Sequence, residues 1–178
     1  MTPIVVLTGF MGSGKSTVGQ ALSRTLDVDF TDTDSELERQ TGRAIAEIFA
    51  DDGEQAFRTL ELATVRDVLA SSSGIVSLGG GSVTVPEIRA ALAGHHVVYL
   101  EISAADGFAR VAGTDRPLLA ADDPADRYAE LLDARRDIYR SVATHTVDAN
   151  DAVDNLVTTI INALPDAGGQ AATTGEQA

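Results

Sequence analysis

The feature that most constrains this chain is the glycine-rich segment Gly9–Thr17, which follows the apolar run Ile4–Leu7 after one residue. The segment matches G-x-x-x-x-G-K-[S/T], a pattern in which glycines let successive backbone N–H groups turn toward phosphate oxygens. The N-terminus of a following helix adds partial positive charge for an anion. In such a loop the lysine reaches the β- and γ-phosphates and the next hydroxyl ligates Mg²⁺. The sequence therefore predicts a strand, a phosphate-binding loop and a helix, with Lys15 and Ser16 as functional residues.

Lysine occurs only in this motif, although the chain has 178 residues, 13 of them basic. The 27 acidic residues give a formal net charge of −14, which argues against duplex nucleic acid or an anionic membrane as the main partner. A GTPase reads guanine through an N-K-x-D motif, and no second lysine is present to form one. The absence of cysteine excludes disulfides and thiolate metal sites. Because the apolar runs are too short to span a bilayer and no secretory signal is visible, we expect a cytoplasmic protein.

Short apolar runs alternate along the chain with helical patterns, which is typical of a parallel sheet covered on both faces. The predicted strands are Ile4–Leu7, Val28–Thr31, Ile75–Leu78, Val97–Ile102 and Thr144–Val147. The predicted helices are Ser16–Leu26, Ser35–Thr41, Ile45–Ala50, Glu54–Ser71, Pro86–Ala93, Ala105–Val111, Ala125–Val142 and Ala152–Leu164. This order predicts a doubly wound, three-layer α/β/α fold with a five-stranded parallel sheet. We expect one domain over residues 1–164, a mobile lid near 112–124 and a disordered tail over 165–178.

Two acidic residues, Asp32 and Asp34, close the second predicted strand. Carboxylates at i and i+2 on an extended segment face the same way, and at the C-terminal end of a parallel strand they point into the ligand crevice. One of them would organise hydrated Mg²⁺ and the other would accept a proton from an alcohol. The alternative is helix capping at Asp34 or Ser35 beside a solvated acid.

Two further segments have the composition of a ligand site. Three consecutive glycines, Gly79–Gly81, end the third predicted strand and let a ligand approach the backbone, although a plain tight turn is the alternative. Arg58 lies one helical turn before Glu61, which would hold its guanidinium, although a solvated helix face is the simpler interpretation.

Arginines near the end of the chain are candidates for binding anions. Arg116 lies in the predicted lid, where it would close over a transferring phosphate, with an ordinary surface arginine as the alternative. Arg135 precedes Tyr139 by four residues on a predicted helix and would clamp a substrate carboxylate, while Arg136 would point elsewhere.

Together, and in this order along the chain, these motifs resemble the shikimate kinase family. The family pattern runs from the phosphate loop through D-[T/S]-D, G-E-x-x-F-R and GGG to R-P-L-L and R-x-x-x-Y. The matching segments are Gly9–Thr17, Asp32–Asp34, Gly53–Arg58, Gly79–Gly81, Arg116–Leu119 and Arg135–Tyr139. The resemblance covers about residues 3–164 and implies a phosphate-loop kinase fold.

The resemblance implies transfer of the γ-phosphate of ATP to the 3-hydroxyl of shikimate, in the biosynthesis of chorismate, by a cytoplasmic monomer. It implies Mg²⁺ held by Ser16, with Asp32 acting through water. The residues implied as catalytic are Lys15, Asp34 and Arg116. Those implied in shikimate binding are Asp34, Phe49, Phe57, Arg58, Glu61, Gly79, Gly80, Gly81 and Arg135, where Glu61 would brace Arg58. Those implied in ATP binding are Gly12, Ser13, Gly14, Lys15, Ser16, Thr17, Arg110 and Arg116.

The chain departs from the family pattern in two places. The loop after the last predicted strand reads Asn150–Asp154, without the Arg/Asn-Pro segment that often contacts adenine in related sequences. The lid is short and contains Asp115 beside its arginine. The alternatives are another small-molecule kinase of this fold, such as a gluconate kinase, and a nucleotide-binding regulator without catalysis. The three histidines, at positions 95, 96 and 145, have no metal-ligand spacing, and we expect them to be structural.

Overall fold

The fold centres on a parallel five-stranded sheet, seen in a computed structural model that describes residues 2–113, 119 and 122–165. The spatial order of the strands is β2-β3-β1-β4-β5. Their bounds are β1 Val5–Thr8, β2 Phe30–Asp32, β3 Ile75–Ser77, β4 Val97–Glu101 and β5 His145–Asp148. All five predicted strands are present, each within two residues of its predicted bounds, and the sheet is parallel as predicted.

Seven α-helices lie within the described residues. They are α1 Lys15–Leu26, α2 Thr33–Thr41, α3 Ile45–Ser71, α4 Pro86–Ala91, α5 Ala104–Val111, α6 Pro124–Val142 and α7 Val153–Ala163. The sequence predicts two helices, Ile45–Ala50 and Glu54–Ser71, where the structure has α3. Gly53 (φ 82°, ψ 173°) interrupts the helical backbone between them, so that α3 consists of two helical segments joined at a kink. None of the described helices is long and apolar enough to cross a bilayer.

The sheet separates two apolar layers, because successive strand residues face opposite sides. On β1, Val5 and Leu7 pack with α1 and α7, whereas Val6 packs on the other side, against residues of α3, α4, α5 and α6. The β strands are short continuous apolar runs for this reason, since both faces are covered. The three-layer α/β/α architecture predicted from the sequence is confirmed.

The carboxyl ends of the strands meet at one edge of the sheet, where ligands bind in open α/β folds. The turns after β1, β2 and β3 all lie at this edge. They contain the phosphate loop, the aspartate pair and the glycine triplet. Leu119, from the predicted lid, is buried in the same apolar layer as Val6.

Candidate active site

The turn from β1 into α1 has the backbone of a phosphate-binding loop. Gly9, Gly12 and Gly14 all have positive φ values, of 152°, 82° and 85°. At Gly12 a side chain is excluded for a second reason, because a Cβ would lie 2.8 Å from the carbonyl oxygen of Gly107 on α5. The N-cap of α1 is Gly14, which makes no side-chain cap, and the N-terminus of a helix that follows such a loop favours an anion.

Lys15, the first residue of α1, lies back over this loop. Its Nζ donates to the carbonyl oxygen of Gly9 at 2.8 Å and to that of Phe10 at 3.4 Å. The ammonium group is therefore held over the concave side of the loop. This is the position from which a lysine neutralises a terminal phosphate.

Asp32 and Ser16 form a small oxygen cluster beside the loop. The Ser16 hydroxyl donates to Asp32 Oδ2 at 3.3 Å. The other carboxylate oxygen, Oδ1, accepts the backbone N–H groups of Asp34 at 3.1 Å and Ser35 at 3.3 Å. Asp32 is therefore the N-cap of α2 as well as a neighbour of Ser16.

The predicted geometry of the aspartate pair is wrong. Asp32 ends β2, but α2 begins at Thr33, so Asp34 lies in the first helical turn and not two residues along an extended strand. The alternative, capping at Asp34 or Ser35, also misassigns the cap, which is Asp32. Because an N-cap aspartate binds the first free N–H groups of a helix, it bends the chain just where the strand ends. Both carboxylates still lie at the same edge of the sheet.

Asp34 is an unusual carboxyl group. Burial, with further contributions from the negative charges of Asp32 and Glu61, raises its pKa to about 6, although Lys15 acts in the opposite direction. Its Oδ1 lies so close to Gly79 that a Cβ at that position would be 2.3 Å away. A weakly acidic, buried carboxyl group beside a phosphate loop has the properties of a proton acceptor.

The glycine triplet brings the three parts of the site together. Gly79 contacts the carboxylate of Asp34, and Gly81 contacts the guanidinium of Arg58, where a Cβ would lie 3.0 Å from both terminal nitrogens. Between them, a Cβ on Gly80 would lie 3.7 Å from Gly9 O and Met11 N of the phosphate loop. The absence of side chains at these three positions therefore allows an acid, an anion-binding loop and a cation to surround one turn.

Arg58 is fixed from its own helix. Its Nη1 donates to Glu61 Oε2 at 2.7 Å, and the Glu61 side chain is only 3% exposed. The other oxygen, Oε1, accepts the Ser82 hydroxyl at 2.7 Å. A second acid, Glu54, lies 3.4 Å from Nη2. The sequence predicts the Arg58–Glu61 contact and misses Ser82, whose only signal is its position directly after the triplet.

Two aromatic rings stand beside Arg58. Phe49 and Phe57 have ring centroids 4.4 Å apart, and the Arg58 guanidinium carbon lies 5.2 Å from the Phe57 centroid. Phe57 is buried, whereas Phe49 is 38% exposed and is the large apolar side chain that the described residues leave open to solvent. The pair forms an apolar wall next to a cation, which suits a ligand with a ring and an acidic group.

Helix α6 contributes a second arginine. The guanidinium carbon of Arg135 lies 5.4 Å from the Phe10 centroid in the phosphate loop, whereas Arg136 pairs with Asp133 of its own helix at 2.8 Å. Arg135 is thus directed to the site and its neighbour is not, as the spacing predicts. The sequence gives no sign of the part played by Phe10, because its contact depends on how α6 packs.

Arg110 connects the phosphate loop to the loop that follows β5. Its guanidinium donates to the carbonyl oxygens of Gly12 at 3.2 Å and Ala149 at 3.0 Å, and to Asn150 Oδ1 at 3.0 Å. Asn150 in turn donates to Asp106 Oδ2 at 3.0 Å. Arg110, which the resemblance implies in ATP binding, therefore lies beside the loop in which this chain departs from the family pattern.

The remaining predicted residues divide in two. Arg116 lies outside the described residues, as does the predicted tail beyond residue 165. His96 and His145 lie at the opposite edge of the sheet from the site, with ring centroids 4.9 Å apart. Within the described ranges, no three His, Cys, Asp or Glu residues are arranged to hold a metal ion.

Comparison with known proteins gives one consistent result. A family model described as shikimate kinase matches residues 11–165. A shikimate kinase of Mycobacterium bovis (strain BCG / Pasteur 1173P2) is 56% identical over 151 residues, which cover 84% of this chain and 86% of that protein. A shikimate kinase of Mycobacterium avium (strain 104) is 55% identical with the same coverage.

Solved structures agree with this result. The shikimate kinase of Acinetobacter baumannii, solved in complex with shikimate, superposes with a TM-score of 0.85 at 33% identity and covers 91% of this chain and 92% of its own. The shikimate kinase of Aquifex aeolicus gives a TM-score of 0.75 at 32% identity, with coverage of 89% and 94%. The phosphate loop, the glycine triplet and the arginine pair thus occur in a chain that belongs to the shikimate kinase family.

Proposed function

We propose that this chain transfers the γ-phosphate of ATP to the 3-hydroxyl of shikimate, giving 3-phosphoshikimate and ADP in chorismate biosynthesis. One observation carries the proposal. Three consecutive glycines, Gly79–Gly81, contact in turn the Asp34 carboxylate, the phosphate loop and the Arg58 guanidinium. An acceptor whose carboxylate binds Arg58 at one end of this turn would have a hydroxyl near Asp34 and near the phosphate-binding loop at the other end.

The nucleotide half of the reaction depends on positive charge. In phosphoryl transfer, negative charge spreads over the equatorial phosphate oxygens, so that positioning and charge neutralisation supply most of the catalysis. The N–H groups of residues 12–17 would hold the phosphates, and the Lys15 ammonium would neutralise the transferred group. Arg116 would add a second charge from the lid, a role that stays a prediction of the sequence.

Ser16 and Asp32 are the residues that would hold Mg²⁺. A hydroxyl and a carboxylate oxygen 3.3 Å apart are hard oxygen donors, and Mg²⁺ with a nucleotide takes most of its other ligands from phosphates and water. A site with few protein ligands therefore fits this ion better than a cage of acids would. When bound there, Mg²⁺ would neutralise part of the phosphate charge.

The acceptor half uses the other side of the turn. Arg58 and Arg135 would bind the shikimate carboxylate, and Phe49 and Phe57 would line the ring. Asp34, with its pKa near 6, is ionised at neutral pH and can accept the hydroxyl proton as the oxygen attacks the γ-phosphate. A catalytic base whose pKa lies near the working pH combines a large ionised fraction with useful basicity.

A gluconate kinase would use the same fold and the same nucleotide chemistry. The paired arginines and the aromatic wall favour a cyclic acid over a flexible one, since a rigid ring loses less conformational freedom on binding. A nucleotide-binding regulator would need neither Asp34 nor the arginine pair. Cytoplasmic location, the monomeric state and the absence of nucleic acid and membrane partners stay predictions of the sequence.

An assay of ADP release with Mg²⁺ and ATP separates these functions. We expect rapid release with shikimate and only a slow background with gluconate or without an acceptor. Faster release with gluconate would favour the second kinase. Saturable nucleotide binding with no acceptor-dependent release would favour the regulator and contradict the proposal.

A further inference from the structure

Helix α6 presents three side chains to the active site from one face. Tyr128, Arg135 and Tyr139 are spaced by seven and four residues, which places them one above another along a helix. Both tyrosines are fully buried. Only Arg135 has a direct role in the proposed binding of shikimate, and this binding does not explain the positions of the two tyrosines.

Tyr128 reaches the phosphate loop. Its hydroxyl donates to the carbonyl oxygen of Met11 at 2.6 Å, and its ring packs edge-on against Phe10 with centroids 4.9 Å apart. The hydroxyl passes directly beside Gly107 of α5, where a Cβ would lie 1.9 Å from it. A gap in α5 that only glycine leaves open thus allows α6 to bind the backbone of the loop that would hold ATP.

Tyr139 reaches the glycine triplet. Its hydroxyl donates to the carbonyl oxygen of Gly80, and the positive charge of Arg135, one helical turn earlier on α6, acts on the same hydroxyl. Its ring stacks on Tyr99 of β4, with centroids 5.0 Å apart and planes at 15°. Burial raises the pKa of Tyr139, so the hydroxyl keeps its proton and remains a donor over the physiological range.

The two acceptors, the carbonyl oxygens of Met11 and Gly80, belong to loops, which lack the regular backbone hydrogen bonds of a helix or sheet. A hydrogen bond to a loop carbonyl, from a side chain on a rigid helix, removes freedom that a loop would otherwise keep. Because a displacement of about 1 Å in a reacting group can cost about a hundredfold in rate, holding both loops from one helix has a direct consequence for catalysis.

We propose that Tyr128 and Tyr139 are positioning residues, through which α6 sets the separation between the phosphate loop and the glycine triplet. Tyr128 acts on the nucleotide side, through Met11. Tyr139 acts on the acceptor side, through Gly80 and Arg135. The inference rests on the proposed function for the identity of the two ligands.

The chain supplies a matched control in Tyr99. This tyrosine is also fully buried in the same layer, yet among the described residues its hydroxyl has no hydrogen-bond partner. Replacement of any of the three by Phe keeps the ring and removes one oxygen. An effect of removing a buried oxygen that does not depend on a loop hydrogen bond would therefore appear in Tyr99→Phe as well, while the melting temperatures report any loss of stability from the broken bonds.

The test is equilibrium binding of ADP and of shikimate, each measured separately by calorimetry, with melting temperatures recorded to verify folding. Loss of one positioning hydrogen bond is expected to weaken binding by about three- to tenfold. We expect Tyr128→Phe to weaken ADP binding and to leave shikimate binding within about twofold of the unaltered chain. We expect Tyr139→Phe to do the reverse, and Tyr99→Phe to change neither affinity.

Equal weakening of both ligands in either variant, no weakening in either, or the same change in Tyr99→Phe would overturn the inference. Turnover of shikimate by the unaltered chain is measured beside these titrations. If that chain binds both ligands and does not turn shikimate over, the proposed function fails while the titrations still decide the inference. If it binds neither ligand, both fail.

Discussion

The guanidinium of Arg58 lies 2.7 Å from the carboxylate of Glu61, and that carboxylate is almost wholly buried. An ionised acid in such a place requires partners for both oxygens, and Ser82 supplies the second at 2.7 Å. Glu61, itself held by Ser82, therefore keeps the Arg58 guanidinium in position before a ligand binds. The outer face of this guanidinium, against Gly81, is free to meet an anion with little loss of side-chain entropy.

Replacement of Arg58 tests its assignment to the shikimate carboxylate. We expect Arg58→Ala to weaken shikimate binding by about 10- to 100-fold, as for loss of a charged hydrogen bond, and to leave nucleotide binding nearly unchanged. Direct titration with each ligand provides the measurement. Arg66→Ala, on an exposed part of the same helix, is the matched control.

Because Arg58→Ala leaves Glu61 without its cation, the variant will also lose stability. The double variant Arg58→Ala/Glu61→Gln removes the buried charge, so it separates poor folding from poor binding. Shikimate affinity equal to that of the unaltered chain, in either variant, would refute the assignment.

Arg135 and Arg136 are adjacent and differ in direction. Since Arg135 lies over Phe10 and Arg136 pairs with Asp133, we expect Arg135→Ala to raise the KM for shikimate by about tenfold or more. Arg136→Ala loses only a surface ion pair, whose contribution to stability is small. Initial rates at varied shikimate concentration provide the comparison. A larger rise in the KM for shikimate in Arg136→Ala than in Arg135→Ala would contradict the assignment of Arg135 to the site.

We expect the ionised Asp34 carboxylate to lower the stability of the folded chain and yet to be required for turnover. Replacement of this one residue tests both effects. Its carboxyl group has a pKa of about 6 in the folded chain, against 3.8 in an unstructured one. The folded state therefore binds the proton more tightly, so stability falls as the pH rises from about 4 to about 6 and remains lower above that range. At neutral pH the ionised group costs about 1–3 kcal/mol.

We therefore expect Asp34→Asn to melt a few degrees higher than the unaltered chain at about pH 7.5, and the difference to shrink toward about pH 4. Loss of the proton acceptor should reduce turnover by at least about a hundredfold, with ATP still bound. Calorimetric melting and a coupled rate assay measure the two effects. Turnover like that of the unaltered chain would remove Asp34 from the mechanism.

The parts of the fold that could be predicted are those encoded locally. Gly9–Thr17 follows its strand closely, and its glycines, which permit the positive φ values of the loop, are visible in the local sequence. The strands, being short apolar runs between helices, are equally local signals. Arg58 and Glu61 are one turn apart on a single helix, so their contact follows from helical geometry.

What the sequence could not predict depends on packing between distant elements. The chain bends at Asp32 because the Asp32 side chain caps α2, so the helix begins where the sequence predicts that the strand continues. Ser82 and Phe10 gain their contacts only when α3 and α6 are docked. Tyr128 donates to Met11 across 117 residues of chain, through a gap at Gly107 that no local pattern indicates.

Phosphorylation of shikimate by the purified chain tests the central claim most directly. With ATP and Mg²⁺, phosphorus NMR should detect a new phosphate monoester on the 3-hydroxyl, appearing as ADP accumulates. Lys15→Ala, which removes the only lysine, should slow its appearance by at least about a hundredfold. An unaltered chain that forms no 3-phosphoshikimate, or a Lys15→Ala variant that forms it at the same rate, would contradict the account.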